Sequence, residues 1–397
     1  MAKLNPHYKS LRREYIFPII EKKLAELKQH RPDASIVNLG VGDIALPLAP
    51  SIISAICKAV EEMGRPQSIR GYGPTEGYPF LREAIAANEY AHLGIGPDEI
   101  FISEGTNSDT ANILELSSSS NVIGIPDPTY PVYLDNCIMD GRKNKIIMLP
   151  CTEASGFLPL PPQEHCDLVY LCSPSNPTGV AMTKDRLEQW VRWAQREKAI
   201  LLLDNAYAAF VSSSDVPRSI FEIDGAKEVA IEFRSFSKSA GFTGLRCAYT
   251  VLPKSVHPVS GKKPAALHAM WDRRQATKTN GVSYPIQKGA ESVYSPQGQI
   301  ETRSQVKSYL HQAKILREGL KAMGYHCWGG MDSPYIWWKT PNSMSSWNFF
   351  DLLLEKCHLI SIPGKGFGVH GEGYVRLSAF TTEDKAEEAL QRIKNNI

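Results

Sequence analysis

The chain predicts an α/β fold in which a mostly parallel sheet is covered by helices. Two observations carry that expectation. Leu168-Val169-Tyr170-Leu171-Cys172 and Ile200-Leu201-Leu202-Leu203 are unbroken apolar runs, the pattern of strands buried on both faces. Between such runs lie segments with apolar residues at helical spacing, and the alternation of the two builds helices onto a sheet.

Taken in order, Pro50 to Met63 carries Ile52, Ile53, Ile56 and Val60 at helical spacing, and Gly64 is placed to stop that helix. Ser103-Glu104-Gly105-Thr106-Asn107-Ser108 leads into a further helical stretch. Val122-Ile123-Gly124-Ile125, Leu168 to Cys172, Ile200 to Leu203 and Glu228 to Phe233 read as strands. Thr183 is placed to cap a helix from Lys184 to about Lys198. Ser117 to Ser120 reads as a loop, and Val256 to Pro264, rich in Pro, Gly, Ser and Lys, as an exposed one.

The bulk composition excludes several classes. At 397 residues the chain is long enough for a large and a small lobe. A formal charge of +2, with 22% charged residues of both signs mixed along the chain, makes no electrostatic case for nucleic acid or an anionic membrane. The N-terminus lacks an apolar signal core, and no apolar run approaches a membrane-spanning length. Eight scattered cysteines without a CxxC pair suit buried or free thiols and a reducing cytoplasm.

The chemistry concentrates in Ser235-Phe236-Ser237-Lys238, with Arg246 eight residues beyond the lysine. Lys238 can form a Schiff base, while Ser235, Ser237 and Arg246 can hold a phosphate dianion. Those are the two attachments that pyridoxal 5'-phosphate needs. Asp204 ends an apolar strand, at the edge where open α/β sheets place ligands, and a carboxylate there can keep a pyridine nitrogen protonated. Tyr207 and Asn176 can both reach the cofactor's phenolic oxygen, Asn176 from a loop fixed by Pro174 and Pro177. Backbone N–H groups at Gly105, Thr106 and Asn107 suit the phosphate. Singly, each has a bland alternative: Asp204 as a helix cap, Asn176 as a turn former, Gly105 as a loop glycine. Their joint order makes chance agreement improbable.

That order resembles fold-type-I pyridoxal-phosphate enzymes of the aminotransferase class. Arg70-Gly71-Tyr72-Gly73-Pro74, Asp127 to Tyr133, Ser235 to Arg246, Asn280 to Ser283 and Gly371 to Arg376 narrow the likeness to the LL-diaminopimelate aminotransferase family. So does the start, Asn5 to Tyr8 and Tyr15 to Pro18. The resemblance implies an N-terminal arm over residues 1–40, a large cofactor-binding domain over 41–285 and a small α+β lobe over 286–397. It also implies that Tyr130 stacks on the cofactor ring and that Arg376 binds the substrate α-carboxylate as a bidentate fork. A homodimer is implied, with Tyr72, Tyr15 and Asn280 reaching the site from the partner subunit.

The segments that read the far end of the substrate depart from the family. An acidic residue expected after Tyr-Gly is Thr75, and a lysine expected near the distal carboxylate is Asn107. Asn205 stands where the family has a small residue, and Lys365 where a loop usually carries a serine. Each hydrogen bond to a charged group contributes roughly 1.5–3 kcal/mol, so two lost contacts amount to about two to four decades of selectivity. Two readings follow. One is a basic substrate with a guanidino tail, met by Glu76, Asp43 (beside Gly42) or Asn205, and dehydration with cyclisation of hydroxyarginine to an enduracididine-like product. The alternative is the parent reaction, LL-diaminopimelate and 2-oxoglutarate to tetrahydrodipicolinate and glutamate, with Glu76 and Lys365 replacing the lost contacts. A non-catalytic regulatory protein is the third class, disfavoured because Lys238 is present and no DNA-binding segment is attached.

Overall fold

A computed structural model of the chain describes residues 1–11, 16–260, 263–264 and 266–397. The central sheet grows from the apolar runs: Leu168–Cys172 and Ile200–Asp204 are buried at every position. Among the described residues it has seven strands, in the spatial order Ile100–Ser103, Ala248–Val251, Ala230–Ser235, Ile200–Asp204, Leu168–Cys172, Ile123–Asp127, Ile146–Pro150. Ala248–Val251 runs antiparallel to both of its neighbours, and the remaining pairs are parallel. Ser103, Asp127, Cys172, Asp204 and Ser235 therefore all end their strands on one edge, the carboxyl edge where such sheets bind ligands.

Helices cover this sheet by apolar faces. Lys184–Glu197 buries Leu187, Trp190, Val191, Trp193 and Ala194, and Thr183 precedes it without a side-chain cap. Lys198 ends it with φ 58°, just past the helix. Pro50–Met63 forms as expected, but Ile53 is 46% and Val60 55% exposed, so its apolar residues are not one core face. Gly64 caps it at φ −77°, not in the left-handed form.

One strand expectation and one loop expectation need correcting. Residues Ala226–Val229 form a helical turn, and the strand is Ala230–Ser235, shifted toward the lysine. Val256 is buried, and Val259–Ser260 pairs antiparallel with Lys263–Pro264 instead of forming an open loop. Gly261 and Lys262 between them lie outside the described residues, as does Tyr15.

A second sheet, all antiparallel, orders Cys327–Gly329, Tyr335–Lys339, Tyr374–Ser378 and Ile362–Pro363. Val37 and Leu39 join a core with Leu316, Trp338, Phe349, Leu377 and Ile393, so the N-terminal segment packs with the C-terminal third. This sheet positions the site directly: Arg376 sits opposite Trp337 and Ile362 in register.

Candidate active site

Lys238 lies on the turn Phe236–Ser239, which follows its strand at once because the Ser235 side chain accepts from the Ser237 N–H at 3.0 Å. Its Nζ donates to the Gly42 carbonyl. Burial lowers the Lys238 amine to about 8, with Arg376 and Arg246 acting in the same direction and Asp43 opposing them. An amine near 8 changes protonation state close to neutrality, as proton transfer at carbon requires.

Arg246 adopts φ 63°, which is uncommon outside glycine, and donates to the Ser237 hydroxyl at 3.3 Å and the Thr243 carbonyl at 3.2 Å. Its guanidinium abuts Gly105, where any Cβ would collide with it. Gly105 opens the helix Thr106–Asn112. A guanidinium, a hydroxyl and a helix start thus converge beside Lys238.

Asp204 is buried, and among the described residues no cation pairs with it. Burial raises its carboxyl, opposed by the Tyr133 hydroxyl, which donates to Oδ2 at 2.7 Å, and by the Ala206 N–H, which donates to Oδ1 at 3.2 Å. Such a carboxylate favours a cationic N–H placed against it. Tyr207 is buried, and its hydroxyl is 2.8 Å from that of Tyr335. Arg376, 3% exposed, donates to Asn176 Oδ1 at 2.7 Å and to the Gly40 carbonyl at 2.6 Å. It lies 4.4 Å from the Tyr335 ring centre and 5.0 Å from that of Phe367. Among the described residues its Nε has no hydrogen-bond partner, its two acceptors are neutral, and no carboxylate forms an ion pair with it.

The comparisons with known proteins agree with this geometry. The family model for aminotransferase class I and II matches residues 34–393. The chain is 46% identical to an LL-diaminopimelate aminotransferase of Methanosphaera stadtmanae, covering 99% of this chain and 98% of that one. It is 48% identical to an LL-diaminopimelate aminotransferase of Desulforapulum autotrophicum, covering 99% of each. The chain belongs to the LL-diaminopimelate aminotransferase family. The solved LL-diaminopimelate aminotransferase from Chlamydomonas reinhardtii superposes with a TM-score of 0.93 at 38% identity, covering 99% of this chain and 98% of that one. The chain is thus a pyridoxal-phosphate-dependent enzyme of the aminotransferase superfamily with the fold-type-I architecture. The family's name matches the second reaction expected from the sequence; neither a cyclase nor an arginine derivative as substrate finds support in these likenesses.

The residues present fit the family's cofactor. Among the described residues no cation pairs with Asp204, Lys238 holds an amine lowered to about 8, and Gly105 lets the Arg246 guanidinium stand beside the Ser237 hydroxyl, a donor pair that suits an anion.

The distal residues are placed differently. Asn205 does not face Lys238: its Nδ2 donates to the Arg218 carbonyl and to Glu232 Oε1, both at 2.7 Å, on the far side of the strand edge. It is therefore no partner for a substrate tail, a correction that follows from the buried Glu232, which needs donors. Glu76 is held by Arg82 at 3.3 Å and receives the Thr75 hydroxyl at 3.4 Å. Lys365, half in solvent, faces Glu372 at 3.7 Å. Asn107 accepts from the Tyr130 hydroxyl at 3.3 Å, and Asp43 Oδ1 accepts from the Ile44 N–H at 2.8 Å. Tyr72 is 88% exposed and Asn280 is exposed; among the described residues neither hydrogen-bonds to the Lys238 cluster.

Sequence reasoning missed Tyr133, Tyr335, Gly40 and Phe367. Tyr133 stood in the quoted Asp127–Tyr133 motif, one helical turn from Tyr130, and was findable by that spacing. Tyr335 reaches the site only through a strand pairing far along the chain, which no local pattern announces.

Proposed function

We propose that the chain is an LL-diaminopimelate aminotransferase, moving the amino group of LL-diaminopimelate to 2-oxoglutarate. Likeness over its full length to enzymes of that name carries this reading. Gly105, Thr106, Asn107, Ser235, Ser237 and Arg246 would hold the phosphate of pyridoxal phosphate. Tyr130, Asn176, Asp204 and Tyr207 would hold its ring, and Lys238 its aldehyde carbon. When bound, the cofactor supplies an electron-accepting ring that stabilises negative charge at the substrate Cα.

The chain's own groups do the rest. Asp204 would hold a proton at the ring nitrogen of the bound cofactor by its negative charge. Tyr207 would donate toward the phenolic oxygen of the bound cofactor. Arg376 grips the α-carboxylate, its orientation set by Asn176 and the Gly40 carbonyl and its faces shielded from water by Tyr335 and Phe367. Lys238 takes the Cα proton and returns it, its amine near 8 allowing both directions. Gly42 and Asp43 border the amine, and Thr75, Glu76, Tyr15 and Asn280 would line the distal end.

A homodimer completes the site on this reading, the partner subunit supplying Tyr72, Tyr15 and Asn280. Support comes from Tyr72 at 88% and Ile69 at 69% exposure, a stretch left uncovered in the single chain. Among the described residues no helix is long and apolar enough to cross a membrane. The eight cysteines are free, and all but Cys57 are buried, which supports a reducing cytoplasm. The test is glutamate release from LL-diaminopimelate and 2-oxoglutarate. Release at a rate typical of metabolic enzymes is expected; none, from protein that keeps its cofactor band, would overturn the substrate assignment.

A further inference from the structure

We infer that Tyr335 is a positioning residue that joins the substrate-carboxylate clamp to the proton donor of the cofactor's phenolic oxygen, an inference that rests on the cofactor part of the proposed function. Tyr335 opens the strand Tyr335–Lys339 and is 1% exposed. One side chain touches three working groups. Its hydroxyl is 2.8 Å from that of Tyr207. Its ring lies 4.4 Å under the Arg376 guanidinium. Its hydroxyl also closes against Gly42, where any Cβ would strike it, and the carbonyl of Gly42 receives Lys238.

Burial pushes both phenols upward, so both are neutral at working pH. Two neutral hydroxyls in contact share one proton between their oxygens. When Tyr335 donates, the Tyr207 proton is free for a second acceptor, and donation into its oxygen strengthens it as a donor. With the cofactor bound, Tyr207 would stabilise its phenolic oxygen as an anion, which would lower the pH at which the bound cofactor's visible absorption changes. The same ring stacks on Arg376, so movement of that guanidinium toward a carboxylate is felt at the Tyr207 hydroxyl.

Tyr335→Phe keeps the ring and removes the shared proton. In the holoenzyme the pH midpoint of the cofactor's visible absorption change should rise by about 0.4–1 unit, the scale of one neutral hydrogen bond. In a Tyr207→Phe background the same change should add nothing further. A merely structural role would lower the unfolding midpoint and leave the absorption midpoint where it was. An unmoved absorption midpoint, or additive shifts in the double variant, would overturn the inference. Tyr335→Leu, which also removes the stacking ring, should weaken binding of 2-oxoglutarate to the holoenzyme, whereas Tyr335→Phe should not; equal binding by both would remove the link to Arg376. The absorption readout needs no amino-acid substrate, so its failure is separate from failure of the substrate assignment.

Discussion

The cofactor end of the site and its distal end are built on different principles. At the cofactor end, Ser235, Asp204 and the Ser173–Gly179 loop all leave the same sheet edge, and each group is fixed by a neighbour from the same chain. At the distal end, Glu76 turns to Arg82, Asn107 to Tyr130 and Lys365 to Glu372, while Tyr72 is left uncovered by its own chain. The difference teaches where change is cheap. Replacing a group at the strand edge leaves a buried partner such as Tyr133 or Asn176 unsatisfied, whereas replacing one in the distal loops exposes little. The departures expected from the sequence at Thr75 and Asn107 would be of the second kind.

The largest way to break this comparison is at Lys238. Lys238→Ala should abolish the visible band of the lysine-bound cofactor and reduce turnover to background; retained turnover would remove Lys238 from the chemistry. Next comes the carboxylate clamp. Arg376→Lys cannot form two parallel hydrogen bonds, and kcat/KM for both amino acid and oxo acid should fall by about two to four decades. Loss confined to one of the two substrates would show that Arg376 does not read their shared carboxylate.

At the distal end, Thr75→Glu with Asn107→Lys should raise kcat/KM for LL-diaminopimelate by about two to four decades. No gain would mean that other groups already meet the far end of the substrate. The smallest effect belongs to Asp109, buried on the helix Thr106–Asn112 that Gly105 opens and that also carries Asn107. Burial lifts it from 3.8 to about 7, against a hydrogen bond from Ser103 at 2.5 Å. The folded protein thus keeps a proton there that the unfolded chain has lost, and this site's contribution to stability falls as pH rises from about 4 to about 7. Asp109→Asn should remove that decline, so that its denaturation midpoint gains on the parent's between about pH 5 and about pH 8. Parallel curves would contradict the sign.

Legibility in the sequence follows the same division. Strands buried on both faces announce themselves as apolar runs, and five short motifs in fixed order marked the sheet edge before any coordinates. Burial of helices was less legible: Ile53 and Val60 have core spacing but face outward. The distal pocket was least legible, because whether Glu76 faces a substrate or Arg82 depends on side chains brought together by tertiary packing. Asn205 shows this most clearly, since adjacency to Asp204 in sequence puts it on the opposite side of the strand, against Glu232.

The most direct test of the central claim is a half-reaction. The holoenzyme is mixed with LL-diaminopimelate alone, and the absorption of its bound cofactor is followed. A transaminase with an intact cofactor end must lose the visible band stoichiometrically as the amino group moves to the cofactor, and must regain it when 2-oxoglutarate is added. A band that persists with LL-diaminopimelate would contradict the account, and more so if hydroxyarginine were consumed with no oxo acid present.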